Sequence, residues 1–588
     1  MFKKLSIGIL SASLLLSMSA CQKKDPKEEQ SAFQKFMNTA FETAMKQDYS
    51  TAYTFMEQPS TYKISDESIN STKQAILSNE QRDTAKDYLK SQLKELKSFS
   101  YDLLTEEQQV EYDTYQFMLE NKEDLLSKSY RYLPTYFSTL NGIHLQIMNE
   151  LENINISSKE QVEKMITYLS SISSYIDQVL EYTKKQQEEN TLLIDADTVK
   201  NQCSDFIKQK EKSELYVSLV DKINKTSLSD KEKESFIKKL KDSYTKNLIP
   251  AYEKIIKTMD SISSSKDISN LSNMKKGTSY YEDLFKQLTG SEDSIKDTLN
   301  SLEENLKNAQ KSELVVANKN MDLYEDWLDN KYRTEMETYE DIMKSLYEKN
   351  KDKFPTVDIY DYKIQKEQND TIGILASAND LPFAMDTTKT PIIKINTSNL
   401  ENQVDSLQAF VSLAQSGIPG AYYMRLYQYQ NLTSNWMKIF AQNNGYTQGF
   451  ESYSAVYALK SLPNVNKAVL QLQQKQVQYY NYALAIADIK IHYKNETEDD
   501  IVTFLKSLGW SEKEAQSTYK TIVYNPGYYV SRGVGLMKFL DLYTNAKETL
   551  GTKFKDNEFH EIILKYGTIP FSILEDKVND YIDKVDKQ

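Results

Sequence analysis

The chain predicts a mainly α protein with one small β-sheet. Three observations carry this: scarce helix breakers, amphipathic stripes opened by capping signals, and one short β-rich interval. Gly 15 and Pro 11 in 588 residues fall well below the usual shares of about 7% and 5%. Few positions can therefore break a helix or turn a hairpin. At 39% hydrophobic there is ample apolar material for a core, and the length allows more than one lobe. The net charge of −13 argues against a nucleic-acid partner, because phosphate contacts need a basic surface.

The N-terminus, "MFKKLSIGILSASLLLSMSAC", has basic Lys3 and Lys4, then an apolar run from Leu5 to Met18. Small Ser19 and Ala20 precede Cys21. The run is shorter than the roughly 20 residues of a membrane-spanning helix and fits a signal peptide over residues 1–20. Small residues directly before a cysteine resemble the bacterial lipobox, in which the cysteine is diacylated and becomes the mature N-terminus. Met18 stands where leucine is commoner. The alternative is an ordinary secretory signal with an incidental cysteine. "QKKDPKEEQ" is polar and unpatterned, so residues 21–30 read as a tether. Only Cys21 and Cys203 exist, so acylation of Cys21 leaves no internal disulfide. Cys203 reads as a buried, chemically indifferent thiol.

Residues 31–350 read as a helical region. "SSKEQVEKMITYLSSISSYIDQVLEY" opens with a capping box, Ser158 with Gln161, and carries a stripe at Val162, Met165, Ile166, Leu169, Ile172, Ile176 and Val179. "SLSDKEKESFIKKLKDSY" repeats the helical period with a charged, solvated outer face. The texture changes near Phe354. "FPTVDIYDYKI" and "TPIIKINTSNL" are β-branched and alternating, which places a small sheet around residues 355–396. Helices then resume through residue 588. Two short ones flank Gly509, the second capped by Ser511 with Glu514. A later one ends at Gly567, and another starts after Pro570.

From about residue 35 to 585 this order of segments resembles the bacterial family called domain of unknown function 885. "IADIKIHYKNET" resembles its Asp-Thr-Gly-x-His segment through Asp488 and His492. "NPGYYVSRGVGLMKFLDL" resembles its Pro-Gly-Gln-Ala segment through Pro526, Gly527 and Gly535. "FHEIILKYGTIP" resembles its tail through Phe559, His560, Leu564, Gly567 and Pro570. The resemblance implies a large helical, zincin-like metallopeptidase fold, with residues 351–588 holding the site.

The family's His-Glu-Gly-x-Pro-Gly-His stretch matches "QSGIPGA". Gly417, Pro419 and Gly420 stand, but Gln415 and Ala421 occupy the two His positions and Ser416 the Glu position. The Glu-Gly-Trp carboxylate position is Gln448, followed by Gly449 and Phe450. Two imidazoles and a carboxylate would hold Zn²⁺, and the Glu would take a proton from its water. None of those groups is present here, so no catalytic residue, metal or other cofactor is expected. Tyr528 and Arg532 replace the family's Gln and Tyr. Only three histidines remain: His144, His492 and His560. Asp488 and His492, one helical turn apart, read as a structural hydrogen bond, as part of a residual cleft, or as metal ligands. Glu451, one turn after Gln448, could line the same cleft.

Two functional readings follow. One is a non-catalytic lipoprotein, held to the lipid bilayer through Cys21 on the extracytoplasmic side, whose peptidase-like cleft binds a peptide or cell-envelope ligand. The other is an active metal-dependent hydrolase with a rebuilt site. A purely structural surface protein is not separable from the first by sequence.

Anchoring is directly testable. Cys21→Ala should move the protein from the membrane to the soluble fraction, because firm attachment rests on two acyl chains. A Cys21→Ala protein that still sediments wholly with membranes rules out the lipid anchor.

Overall fold

The computed structural model describes residues 25–262, 270–367, 378–380, 382–397 and 404–587. The signal peptide, Cys21 and the start of the tether lie outside the described residues. The first helix begins inside the stretch read as a tether: α1 spans Pro26–Gln47. Asp25 caps it by accepting from the Lys27 N–H at 2.7 Å, Pro26 takes the first helical position, and Glu28 and Glu29 fill the first turn. Each is favoured at a helix N-terminus, where N–H groups are unpaired and the dipole is positive.

Helix then follows helix: α2 (Tyr49–Phe55), α3 (Asn79–Leu96), α4 (Glu106–Leu125), α5 (Ile143–Asn153), α6 (Lys159–Glu188) and α7 (Ala196–Gln209). After these come α8 (Glu214–Asn224), α9 (Asp230–Ser243), α10 (Ile249–Ser261), α11 (Gly277–Thr289), α12 (Ile295–Lys319), α13 (Met321–Leu328) and α14 (Tyr339–Asn350). In α6 the predicted stripe is buried except at Ile166, which is half-buried. The cap differs in one detail. Ser158 accepts from the Gln161 N–H, but the Gln161 side chain accepts from the Ser157 N–H at 2.8 Å rather than from that of Ser158.

The sheet forms inside the predicted interval. It comprises β1 (Lys363–Glu367), β2 (Ala378–Asp380) and β3 (Ile392–Asn396), in the order β1-β3-β2. β1 runs parallel to β3 with Lys363 opposite Ile392, and β2 runs antiparallel with Ala378 opposite Ile395. Ile393 and Ile395 point into the core, as the period-2 alternation requires.

The second helical run begins with α15 (Leu407–Ser416), α16 (Ala421–Asn431), α17 (Asn435–Ile439), α18 (Asn444–Leu459) and α19 (Lys467–His492). It ends with α20 (Glu498–Ser507), α21 (Glu512–Val523), α22 (Val530–Leu550), α23 (Asp556–Leu564) and α24 (Phe571–Asp586). Ser511 and Glu514 form the full reciprocal capping box. Gly509 and Gly567 take φ of 95° and 79°, left-handed values that glycine adopts without a Cβ penalty.

Buried apolar residues from Phe33 to Ile582 form one cluster. The change of texture near residue 350 therefore does not break the core. Side chains far apart in sequence join across it: Trp327 Nε1 donates to Gln473 Oε1 at 3.1 Å, and the rings of Phe41 and Phe440 lie 6.1 Å apart.

Backbone packing is close where α22 crosses α18 and α19. A Cβ on Gly535 would sit 1.9 Å from the Gly445 carbonyl oxygen and 2.8 Å from the Gly449 Cα. One on Gly533 would sit 2.6 Å from the Asn481 carbonyl oxygen. α22 is thus pressed backbone-to-backbone against a helix on either side. Gly535→Ala should lower the unfolding free energy by about 1–3 kcal/mol or more, the usual cost of overpacking. Urea denaturation measures this, and wild-type stability would mean that the crossing is not fixed.

Candidate functional site

The break between α15 and α16 is built by its glycines. The Gly417 N–H donates to the Leu413 carbonyl at 2.8 Å, closing α15, and the Met424 N–H returns to the Gly420 carbonyl at 2.9 Å. A Cβ on Gly420 would meet the Gln415 carbonyl oxygen at 1.9 Å, and one on Gly417 the Met343 sulfur at 2.4 Å. The chain folds back on its own helix end more closely than any side chain permits. The Ile418–Pro419 peptide is cis. Gln415, Ser416 and Ala421 are all buried. The Gln415 Oε1 atom has no hydrogen-bond partner among the described residues.

α18 packs against α15, and Ser454 on α18 donates to the Pro419 carbonyl at 3.4 Å. Gln448 is half-buried on the second turn of α18. One turn on, Glu451 meets a group from α22: Arg532 Nη2 donates to Glu451 Oε2 at 2.8 Å, and Nη1 to Ser452 Oγ at 3.2 Å. The two charged side chains are only 14% and 17% exposed. Tyr528 stands nearby, 38% exposed. The surrounding protein pushes its phenol pKa up, Arg532 opposing and Glu451 adding.

Asp488 and His492 are fully buried on α19 but do not bond to each other. Asp488 Oδ1 accepts from the Tyr281 hydroxyl at 2.7 Å and the Gly527 N–H at 3.1 Å, and Oδ2 accepts from the Tyr529 N–H at 3.4 Å. His492 Nδ1 accepts from the Leu271 N–H at 3.4 Å, which leaves Nε2–H to donate to the Ile522 carbonyl at 3.1 Å. The expected Asp–His hydrogen bond is therefore replaced by partners from other elements. The Tyr281 ring lies between the two, 5.7 Å from the imidazole. Asp488 holds the turn that leads into α22, and with it Tyr528 and Arg532. Sequence reasoning missed Tyr281, which lies 207 residues from Asp488, and also the Glu451–Arg532 pair.

Of the other histidines, His560 uses both ring nitrogens, whereas the buried Nδ1 of His144 has no partner among the described residues. His560 accepts from the Tyr453 hydroxyl at 2.8 Å, donates to the Lys353 carbonyl at 2.6 Å and stacks on Phe354 at 3.8 Å. His144 donates to Gln202 Oε1 at 2.8 Å. Cys203 is buried, which pushes its thiol up to about 12.

These residues do not fit a zinc ion. Gln415 and Gln448 are neutral amides, Ala421 has no donor atom, and Glu451 is paired with a fixed cation. Zinc takes imidazole, thiolate or carboxylate. Among the described residues, no three His, Cys, Asp or Glu side chains converge as a metal site. On the other side of the loop, Ile418 and Pro419 help to line a cavity of about 170 Å³ with Phe354, Val357, Tyr423 and Asn350. The Oδ1 atom of Asn350 is buried without a partner.

The profile of the family described as "Bacterial protein of unknown function (DUF885)" matches residues 64–578. The chain belongs to this family. It is similar in fold to a provisionally assigned lipoprotein of Colwellia psychrerythraea, with 17% identity and a TM-score of 0.77, covering 95% of this chain and 99% of that one. It is also similar to a provisionally assigned lipoprotein of unknown function from Shewanella oneidensis, with 14% identity and a TM-score of 0.61, covering 94% and 99%. No curated protein matches the chain significantly. Among the described residues no helix is long and apolar enough to cross a membrane.

Burial lowers the pKa of His144 and His492 to about 4 and that of His560 to about 3. An imidazole held neutral binds its proton more weakly folded than unfolded. Its contribution to stability is complete above about 6.5 and is lost as pH falls toward the folded value. Burial raises Asp488 to about 7 against its three donors. Its contribution has the opposite sign: it is present below about 4 and lost as pH rises through about 7. Ring-proton shifts of histidine-labelled protein should stay flat from about pH 8 to about pH 5. Titration of any one near 6.5 would show that its pocket opens to water.

Proposed function

We propose that this protein is a lipid-anchored, extracytoplasmic lipoprotein whose peptidase-like cleft binds a peptide or cell-envelope ligand without hydrolysing it. The Arg532–Glu451 pair carries this reading. It lies where the family resemblance sets a zinc-binding carboxylate helix, and it puts a permanent guanidinium charge against the nearby carboxylate. A divalent cation there would face both repulsion from Arg532 and the loss of a mostly buried ion pair, which costs several kcal/mol once one partner is left alone.

The ligand reading is supported by the cavity beside Ile418 and Pro419. Its walls combine apolar and aromatic side chains with the polar Lys351, Asp352 and Thr356, and the side-chain Oδ1 of Asn350, without a partner among the described residues, is an acceptor of the kind that a peptide N–H satisfies. About 170 Å³ is below the roughly 300–1,000 Å³ of drug-sized sites. The space suits one or two residues of an extended segment.

Two measurements test the reading. The purified protein should contain no stoichiometric zinc, and it should bind labelled short peptides saturably without turnover, less tightly after Asn350→Leu. Stoichiometric zinc together with chelator-sensitive peptide cleavage would instead establish the hydrolase. Restoring Gln415→His, Ser416→Glu, Ala421→His and Gln448→Glu should raise zinc affinity further when Arg532→Tyr is added. No gain from the fifth change would show that the arginine does not oppose the metal.

A further inference from the structure

A second cavity, of about 40 Å³, lies away from the helix break, between α4, α11, the start of α18 and the segment before α24. One face of α4 supplies Thr114, Asn121 and Lys122, spaced so that the residues share a side of the helix. Thr114 and Asn121 are 0% and 4% exposed, and the Thr114 hydroxyl and Asn121 Nδ2 have no hydrogen-bond partner among the described residues. Unpaired buried polar atoms are uncommon, because each costs about 1–3 kcal/mol unless water or a ligand satisfies it.

Lys122 stands at the rim, exposed as a residue but with its ammonium crowded by the surrounding protein. It makes no ion pair among the described residues. Desolvation alone lowers its pKa, with no carboxylate acting on it. The buried carboxyl of Glu111, one turn before Thr114, bonds to Ser434 and does not line the cavity. Asn443, the N-cap of α18, closes the wall, and its side-chain oxygen is already occupied by the Tyr446 N–H at 2.9 Å.

Lys122, with no ion pair among the described residues, an unpartnered amide N–H and an unpartnered hydroxyl thus line one small space, and none of the residues lining it is acidic. In the same measure, a water needs about 10–15 Å³, so the space holds about three waters or one small oxyanion. We propose that this cavity is a binding site for a small oxyanion, either phosphate or a carboxylate. The site is independent of the helix-break cleft, although α18 carries groups of both.

Calorimetry on the detergent-solubilised full-length protein, with inorganic phosphate and with acetate at constant ionic strength, tests this. One-to-one saturable binding of at least one anion is expected, weakened tenfold or more in Lys122→Gln and further in Thr114→Val/Lys122→Gln. Phosphate binding alone assigns the site to phosphate or its monoesters, and acetate binding alone assigns it to carboxylates. Lys122 is exposed, so its variant should fold normally. No saturable binding of either anion, or equal affinity in Lys122→Gln, overturns the proposal and leaves a water-filled cavity.

Discussion

The backbone contact between α18 and α22 sets the position of everything in the candidate site. Gly445 and Gly449 on one helix and Gly535 on the other leave no room for a side chain between the two main chains. That proximity brings Glu451 and Arg532 within hydrogen-bonding distance. On its opposite side, Gly533 lets α22 pack closely on α19 as well. Asp488 on α19 then fixes the turn entering α22 through the Gly527 and Tyr529 N–H groups. Three helices are locked by contacts that tolerate almost no change, and the groups facing the cleft are carried on that lock.

The backbone requirements of the site and its chemistry are separable. Gly417 and Gly420 satisfy a steric demand of the helix break, whatever the neighbouring side chains do. Gln415, Ala421 and Gln448 face no such demand. They hold their places as packed residues, with Gln415 and Ala421 buried. Where a metal-binding design sets a cation against a carboxylate, this chain sets one of its five arginines against Glu451. The buried negative charge is neutralised by covalently attached protein rather than by an exchangeable ion.

Much of the helical fold was legible because its signals are local. Ser511 with Glu514, Gly509 and Gly567 act within one turn of the chain, and the stripe of α6 repeats at the helical period. The start of α1 was also written locally, in Asp25, Pro26, Glu28 and Glu29, but a charge-rich setting hid it. Long-range partners were not legible. Nothing near Asp488 names Tyr281, and nothing near Glu451 names Arg532, since each pairing depends on how helices cross. The crossing itself left a trace: Gly445 and Gly449 are four residues apart, a small-residue spacing that allows helices to approach closely.

The early start of α1 also bears on where the body sits. From an acylated Cys21 to the cap at Asp25 there are only four residue steps, at most about 14 Å at 3.3–3.6 Å each. Roughly half of that is taken up in passing the headgroup layer, which is about 5–7 Å deep on each side of the hydrocarbon core. An anchored molecule would be seated on the bilayer surface rather than suspended above it. Its working radius would then be that of a fixture, limited to what comes within reach of the membrane surface.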